Sequence, residues 1–160
     1  MSELRVGIGF DAHVLVEGVP LVLGGVPIDH PRGLAGHSDG DVISHALIDA
    51  LLGAANLGDI GTLFPSGDEE YRGASSLDLL WEAYREVREA GWELVNADCV
   101  LVGEEPRIGE VRGEMCEKLV GALGVEIGRV TVRATTTDGL GFSGRGEGLA
   151  AHAVALIRKI

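Results

Sequence analysis

Residues 5–13 narrow the range of possible folds most, because they alternate two kinds of side chain with a period of two. The apolar members of the alternation are Val6, Ile8 and Phe10. Between and after them come two glycines, Asp11 and His13. A period of two is typical of a β-strand, whose successive side chains point to opposite faces. The pattern therefore predicts a strand with Asp11 and His13 on the face opposite the apolar residues.

A second polar island, residues 37–41, comes directly before a helical pattern. Apolar residues recur there at intervals of three and four, which predicts a helix over about 41–56. His45 lies in that helix, one turn after the island. With Asp11 and His13 it offers one carboxylate and two imidazoles, which leave the fourth position of a tetrahedral zinc ion open for substrate or water. These three residues are candidate zinc ligands.

Plainer interpretations of both islands stay open. An Asp-x-His pair arises by chance in many proteins, and an isolated histidine is most often an ordinary surface residue. Ser38 or Asp39 is expected to be the N-cap of the helix. Capping accounts for one polar residue of the island and does not require the others.

Composition limits the class of protein. A chain of 160 residues is long enough for one domain with its own core. The formal net charge of −12 argues against a nucleic-acid-binding surface, and no apolar stretch approaches a membrane span. Cys99 and Cys116 lack metal-binding or redox spacing, and no signal-peptide pattern follows Met1. We therefore expect a soluble, cytoplasmic, single-domain protein (residues 1–160) that binds neither nucleic acid nor membrane.

The rest of the chain interleaves strand and helix patterns. We predict a hairpin over 20–28, helices over 76–90, 108–123 and 149–157, strands over 92–102 and 129–135, and irregular loops over 30–40 and 58–68. No repeat or long linker divides these segments. The order predicts an α/β (α+β) domain in which helices pack on one face of a mixed β-sheet, and the other face is left for a partner subunit.

Two turns are candidate phosphate sites. Residues 134–148 combine threonines and glycines, whose hydroxyl and amide groups suit phosphate oxygens, with Asp138, a candidate ligand for a hard cation. The stretch lacks the Gly-Lys-Ser/Thr ending of a P-loop and the glycine spacing of a dinucleotide fold. In the turn 103–108, Arg107 is a candidate contact for an anion or a base. Taken alone, each turn is equally well an ordinary surface loop.

Five motifs in order resemble the 2-C-methyl-D-erythritol 2,4-cyclodiphosphate synthase family over almost the whole chain. The motifs are Gly7-x-Gly9-x-Asp11-x-His13, then His37-Ser38-Asp39-Gly40-Asp41 with His45, then Gly58-Asp59-Ile60-Gly61 with Phe64-Pro65, then Thr135-Thr136-Thr137, and finally Gly141-Phe142-x-Gly144-Arg145-Gly146-Glu147-Gly148. The resemblance implies conversion of 4-diphosphocytidyl-2-C-methyl-D-erythritol 2-phosphate to the cyclic diphosphate with release of CMP. This reaction belongs to the non-mevalonate route to isoprenoid precursors.

The resemblance also implies roles for the matching residues. Asp11, His13 and His45 would bind zinc, and Asp138 would bind a second divalent ion, Mg²⁺ or Mn²⁺. The implied catalytic residues are His37, Asp59 and Thr136. The resemblance implies substrate contacts for all of these metal-binding and catalytic residues except His45. It implies further substrate contacts for Ser38, Ile60, Gly61, Phe64, Pro65, Ser66, Gly67, Asp68, Gly103, Pro106, Arg107, Ile108, Ala134, Thr135, Thr137, Phe142 and Arg145.

Members of the family form homotrimers whose active sites lie between subunits. A cavity near the threefold axis can bind isoprenoid phosphates, and Phe142, Arg145 and Glu147 match residues there. This chain departs from the family pattern at two positions. Asp138 stands where Glu is usual, which shortens the reach of the carboxylate to a second ion. Arg107 stands where Lys is usual, which retains the charge and alters the geometry of a phosphate contact.

The implied chemistry suits these residue types. A phosphate monoester is largely deprotonated near neutral pH, its second pKa being about 6, so ring closure needs charge neutralisation and positioning more than a strong base. Two other functions stay open. One is a zinc-dependent phosphoester hydrolase with Asp39 or Asp59 as base, and the other is a trimeric nucleotide-binding protein with structural zinc.

Overall fold

The computed structural model describes residues 3–65 and 67–160. Its elements in chain order are β1 (Leu4–Glu17), β2 (Leu21–Leu23), β3 (Val26–Ile28), β4 (Arg32–Leu34), α1 (Val42–Ala54), α2 (Ile60–Leu63), a 3₁₀ turn (Glu69–Tyr71), α3 (Ser76–Glu89), β5 (Trp92–Val102), α4 (Arg112–Leu123), β6 (Val130–Thr135), α5 (Gly141–Gly144) and β7 (Gly148–Lys159). Within these residues, no helix has the length and apolar character needed to cross a bilayer.

The main sheet has five strands in the order β4-β1-β7-β5-β6. The central strand β7 runs antiparallel to both β1 and β5, whereas β5 and β6 run parallel. Helix α1 packs across β1 and β7, and α3 and α4 pack over β5 and β6. The prediction of a mixed sheet with helices is confirmed.

Strand β1 lies directly against the backbone of α1. A Cβ atom on Gly9 would overlap the carbonyl of Ala46, and one on Gly7 would overlap the carbonyl of Ala50. The helix faces the strand with alanines four residues apart, so no large side chain separates the two backbones. Asp11 follows Gly9 on the same face of the strand. The glycines therefore set the distance between this carboxylate and the helix.

The opposite face of β1 is apolar and exposed. Val6, Ile8 and Phe10 are 68%, 71% and 51% exposed, and Val154 on the neighbouring strand is 43% exposed. The predicted division of β1 into a polar face and an apolar face is confirmed. In the described chain, the helices cover only the face with the glycines.

The helix predicted over 149–157 is wrong, because this segment is the central strand β7. Its alanines favour a helix by propensity, but a short apolar run also suits a strand that is buried. Ala151, Ala153 and Ala155 are completely buried, and β7 hydrogen-bonds to strands on both sides. Pairing with two neighbours decides the structure, and the small side chains leave room for α1.

The other predicted elements agree with the structure apart from local differences. The hairpin over 20–28, the helix over 76–90 and the strands over 92–102 and 129–135 are confirmed within one or two residues. The helix over 108–123 begins later, at Arg112. Each predicted loop contains a short element, β4 in one and α2 in the other. The N-cap of α1 is Asp41, and not Ser38 or Asp39 as predicted.

Hydrogen bonds to Asp41 hold the β2–β3 hairpin against α1. Gly24 and Gly25 form the two-residue turn with φ of 57° and 76°, as a type I′ turn requires. The fully buried Asp41 accepts their backbone N–H groups at 2.9 and 2.8 Å. The same carboxylate accepts the backbone N–H of Ser44 at 3.2 Å and its hydroxyl at 2.7 Å. One buried side chain thus orients both elements.

Gly9→Ala is expected to lower the free energy of unfolding by about 3 kcal/mol, because the new methyl group must displace the backbone of α1. Gly53→Ala is the matched control, since no atom lies within 4 Å of a Cβ there and alanine favours the helix. Urea denaturation at fixed protein concentration measures both. Equal stability of the two variants would contradict the contact.

Asp41→Asn is expected to cost about 3 kcal/mol, because its amide group cannot accept the hydrogen bonds made to the second carboxylate oxygen. Asp29→Asn, at an exposed position, removes the same charge and is expected to change stability by less than about 0.5 kcal/mol. Denaturation midpoints compare them. A loss of the same size in both variants would assign the effect to net charge.

Candidate metal centre and adjoining clefts

The structure brings Asp11, His13 and His45 together. Asp11 Oδ2 lies 2.8 Å from His13 Nε2 and 3.0 Å from His45 Nδ1. The two ring nitrogens are 3.4 Å apart. Ligands at about 2.0–2.1 Å from a tetrahedral zinc ion are about 3.3 Å from one another. The three atoms therefore form nearly the triangle that such an ion requires, and the donor set fits zinc.

Hydrogen bonds on the far side of His45 fix its tautomer. The hydroxyl of Ser76 donates to Asp39 Oδ1, so its single proton is committed. Ser76 Oγ also lies 2.8 Å from His45 Nε2 and must accept from it. With the proton on Nε2, the lone pair of Nδ1 faces the carboxylate of Asp11. Two lone pairs 3.0 Å apart favour a cation between them.

The electrostatics of the triad agree with this geometry. Burial raises the pKa of Asp11, but the adjacent imidazoles of His13 and His45 outweigh burial and lower that pKa to about 2. The bond to Asp11 raises the pKa of His13 against the opposing effect of burial. The site therefore holds its carboxylate ionised and attracts positive charge, which is a proton in the absence of a metal.

Ser76 was not identified from the sequence, although it is completely buried behind the triad. It begins α3, and both its backbone N–H and its hydroxyl donate to Asp39. Ser38 Oγ is the other contact of His45 Nε2, at 2.9 Å. A serine at a helix start is an ordinary feature, so only the tertiary fold reveals this contact. Asp39 and Ser76 orient the imidazole as outer partners of metal-bound histidines do.

A cleft of about 190 Å³ opens beside the triad. Its lining contains the predicted residues Asp11, His13, His37, Ser38, His45, Ile60, Gly61 and Phe64. Tyr71 and Leu79 complete it and were not predicted. The rings of Tyr71 and Phe64 pack edge to face with centroids 5.2 Å apart. This pair holds the segment after α2 over the cleft.

The other substrate-contacting residues predicted between 59 and 68 are not among the residues that line this cleft. Asp59 is exposed and caps α2, accepting the backbone N–H and the hydroxyl of Thr62 at 2.8 Å each through Oδ1. These bonds lower its pKa. Asp68 caps the 3₁₀ turn, and its carbonyl lies 2.7 Å from His37 Nε2. Pro65 and Gly67 lie in the same segment, and Ser66 lies outside the described residues.

A second cleft, of about 430 Å³, lies at the carboxyl ends of the parallel strands β5 and β6. It is lined by the predicted residues Gly103, Pro106, Arg107, Ile108, Ala134, Thr135 and Thr136, and also by Glu104, Gly109 and Arg112. Arg112 was not predicted as a site residue, because the helix predicted over 108–123 places it in the second turn. In the structure it is the first residue of α4. Crevices at such strand ends are common ligand sites.

Asp138, Phe142 and Arg145 are not among the residues that line either cleft. Asp138 is exposed, has a φ of 53°, and lies near Thr136 Oγ1, at 3.4 Å. Thr137 Oγ1 is bonded to the carbonyl of Leu140. Phe142 is 41% exposed, and Arg145 pairs with Glu147 at 2.9 Å. Within the described residues, Asp138 does not join an acidic or histidine cluster of metal-binding size.

Ser76→Ala is expected to weaken zinc binding about tenfold to a hundredfold, because His45 loses the acceptor that fixes its tautomer. Ser75→Ala is the matched control, since Ser75 makes no side-chain capping bond. Competition with a chromophoric chelator measures both affinities. Unchanged affinity in the Ser76 variant would remove that residue from the centre.

Comparison with known proteins agrees with this architecture. The model of the YgbB family matches residues 4–158. The 2-C-methyl-D-erythritol 2,4-cyclodiphosphate synthase of Moorella thermoacetica is 56% identical over 154 residues, which cover 96% of this chain and 94% of that protein.

Solved structures are similar over the whole fold. The bifunctional IspDF of Campylobacter jejuni has a TM-score of 0.96 and 42% identity, and the match covers 100% of this chain and 43% of that one. A 2C-methyl-D-erythritol-2,4-cyclodiphosphate synthase in its CDP-bound form has a TM-score of 0.87 and 40% identity, covering 96% and 99%. The chain therefore belongs to the YgbB family and is similar over almost its whole length to 2-C-methyl-D-erythritol 2,4-cyclodiphosphate synthases.

Proposed function

We propose that this chain is a 2-C-methyl-D-erythritol 2,4-cyclodiphosphate synthase. It converts 4-diphosphocytidyl-2-C-methyl-D-erythritol 2-phosphate to the cyclic diphosphate and releases CMP, as its family and its relatives support. The observation that carries the proposal is the triangle of Asp11, His13 and His45 at the edge of the cleft lined by His37 and Ser38. A three-ligand centre beside a cleft suits a substrate that supplies the fourth ligand.

The metal would reduce the repulsion between the attacking 2-phosphate and the β-phosphate by neutralising their charge. Asp11, His13 and His45 are the residues that would hold it, with Zn²⁺ as the ion that fits their donor atoms. A second divalent ion, Mg²⁺ or Mn²⁺, is proposed at Asp138. Its other ligands would be phosphate oxygens and water, because this carboxylate is exposed and stands alone.

The remaining residues bind and orient the substrate. His37 links the cleft to the segment 64–71 through the carbonyl of Asp68, and Ser38 lies at the cleft wall. Asp59 keeps one carboxylate oxygen clear of its cap for a sugar hydroxyl. A pocket that holds the two phosphates of the substrate together can lower the activation barrier by roughly 7 to 11 kcal/mol.

The cytidine diphosphate is proposed to occupy the cleft at the ends of β5 and β6. Arg107 and Arg112 supply positive charge there, and Thr136 directly follows β6 beside them. The hydroxyl of Thr136 is proposed to contact the phosphate that is attacked. This cleft shares no lining residue with the metal cleft in the described part of one chain. We propose that two chains bind the two halves of the substrate, each chain supplying one cleft.

We accordingly propose a homotrimer with active sites between subunits. The exposed apolar face of β1 and β7 supports it, because such a face is unfavourable in water. Phe142 and Arg145 are proposed to contact substrate or an isoprenoid phosphate near the threefold axis. A single synthase domain over residues 1–160 and a cytoplasmic location complete the proposal.

The hydrogen bonds and positions of Asp39 and Asp59 argue against the hydrolase alternative, which needs one of them as a base. Asp39 Oδ1 accepts the hydroxyl of Ser76 and the backbone N–H of Asp41, and Oδ2 accepts the backbone N–H of Ser76. Asp59 lies outside the metal cleft and caps α2. Neither carboxylate is placed to activate a water molecule at the triad.

Product analysis in ¹⁸O-labelled water tests the function. The synthase is expected to give CMP and a cyclic diphosphate free of solvent oxygen, because the attacking oxygen belongs to the substrate. Turnover is expected to stop after chelation and to return with zinc. An acyclic phosphate containing solvent oxygen would establish the hydrolase instead.

His13→Ala separates a catalytic centre from a structural one. The variant is expected to stay folded, to bind CDP, and to lose more than about a hundredfold in kcat, a larger loss than outer partners of a metal cause. Circular dichroism, sedimentation and calorimetry with CDP accompany the assay. Unfolding or dissociation of the variant would favour structural zinc.

A further inference from the structure

A cleft of about 460 Å³ lies at the end of the sheet opposite the cleft at the carboxyl ends of β5 and β6. It is lined by the second half of α3, the start of β5, the segment after α4, and residues near the end of β7. β5 is 11 residues long, so this cleft and the one at its carboxyl end are roughly 30 Å apart. Neither the metal triad nor the turn 103–108 contributes to it. We call it the arginine cleft.

The arginine cleft is basic in an otherwise acidic protein. Its charged lining residues are Arg85, Arg88, Arg129, Arg158, Glu93 and Glu126. The whole chain has 13 Lys and Arg residues and a formal net charge of −12, yet four guanidinium groups meet two carboxylates here. The two carboxylates offset only half of this positive charge, and the remainder favours a ligand of opposite charge.

Most of the guanidinium N–H groups are uncommitted within the described structure. Arg158 Nε donates to Glu93 Oε1 at 2.7 Å, and Arg88 Nη1 donates to Glu93 Oε2 at 3.3 Å. Arg129 Nη1 donates to the carbonyl of Val95 at 2.9 Å. Each guanidinium has five N–H donors in a planar fork. The bonds thus orient the groups while leaving free donor edges that suit phosphate oxygens.

The same cleft offers a flat apolar surface. Trp81 is 52% exposed although it is aromatic, and the guanidinium of Arg85 lies 5.2 Å from the centre of its ring. Tyr84 and Leu94 lie beside it, joined by a hydrogen bond of 2.9 Å from the Leu94 N–H to the phenol oxygen. A ligand for this cleft therefore needs an apolar or aromatic body next to its anionic group.

Helix-end stabilisation explains only part of the cluster. Arg88 lies in the last turn of α3, where a positive charge interacts favourably with the helix dipole. Arg129 precedes β6, and Arg158 lies in β7, so neither is at a helix end. Four arginines from three separate elements converge on one concave surface, which a helix dipole does not require.

We propose that the arginine cleft binds a phosphorylated small molecule, with its phosphate held by Arg88 and Arg158 and its apolar body against Trp81. The site is separate from the metal centre and does not depend on the function proposed for it. Arg158 lies four residues after Val154 on β7 and therefore on the sheet face that the helices leave open, whereas Trp81 and Arg88 belong to α3. The arginine cleft thus lies at the end of the sheet, where the two faces meet.

Phenyl phosphate is the test probe, because it joins a phosphate to a flat apolar ring. Trp92 is 4% exposed and Trp81 is 52% exposed, so acrylamide quenching reports mainly on Trp81. In the zinc-loaded protein, phenyl phosphate is expected to protect Trp81 from acrylamide with a dissociation constant in the millimolar range or below. Inorganic phosphate is expected to bind more weakly, because it has no ring to cover the tryptophan.

Arg88→Gln and Arg158→Gln are each expected to weaken protection about tenfold by removing a charged donor. Both pairs with Glu93 are partly exposed, so the variants are expected to fold, as circular dichroism will check. Arg85→Gln, at a side chain without an ion pair among the described residues, is a third cleft variant and is expected to weaken protection as well. Lys118→Gln on the exposed side of α4 removes the same charge outside the cleft and is expected to have no effect.

Two results would overturn the proposal. One is the absence of Trp81 protection by phenyl phosphate up to about 10 mM, since such weak binding is negligible. The other is an equal loss of protection in the Lys118 and Arg variants, which would assign binding to net charge. Protection that the arginine variants weaken and the lysine variant keeps would establish the site.

Discussion

The direct contact between β1 and the backbone of α1 is the constraint on which the metal centre depends. Gly7 and Gly9 leave no room for a side chain between the strand and the helix. Asp11 and His13 continue the same face of β1, and His45 lies beside Ala46, the residue whose carbonyl meets Gly9. A strand and a helix that touch this closely bring three ligand atoms within hydrogen-bond distance. Any spacer between the backbones would move His45 away from Asp11.

Behind this contact, polar groups are buried only where they have partners. Asp41 holds the β2–β3 hairpin against α1, and Asp39 holds the start of α3 through Ser76. Within the described residues, buried side-chain nitrogen and oxygen atoms without a hydrogen-bond partner are absent. The polar island at residues 37–41 therefore has two roles: its carboxylates hold the elements around His45 by hydrogen bonds, and its other side chains line the cleft. Complete satisfaction of this network is what makes it stabilising.

The sequence predicted the parts of this arrangement that local patterns encode. The period of two in β1 and the spacing of α1 were enough to place Asp11, His13 and His45 correctly. β7 was mistaken for a helix, because an alanine-rich segment carries no local signal of the two strands that pair with it. Ser76 and Tyr71 were missed for a related reason. Their roles depend on contacts with residues more than five positions away in the chain, and the neighbouring sequence gives no indication of those contacts.

An acidic chain that binds phosphates must place its positive charge locally. In the proposed active site a metal ion, Arg107 and Arg112 provide it, while the carboxylates face the cation. The arginine cleft repeats the principle at the opposite end of the sheet without a metal. Zinc-edge X-ray absorption of the purified protein tests the central claim about the triad most directly. We expect one zinc per chain, bound by two imidazole nitrogens and by oxygen ligands at about 2.0 Å. Sulfur ligation, a shell of oxygens without imidazole, or failure to bind stoichiometric zinc would contradict it.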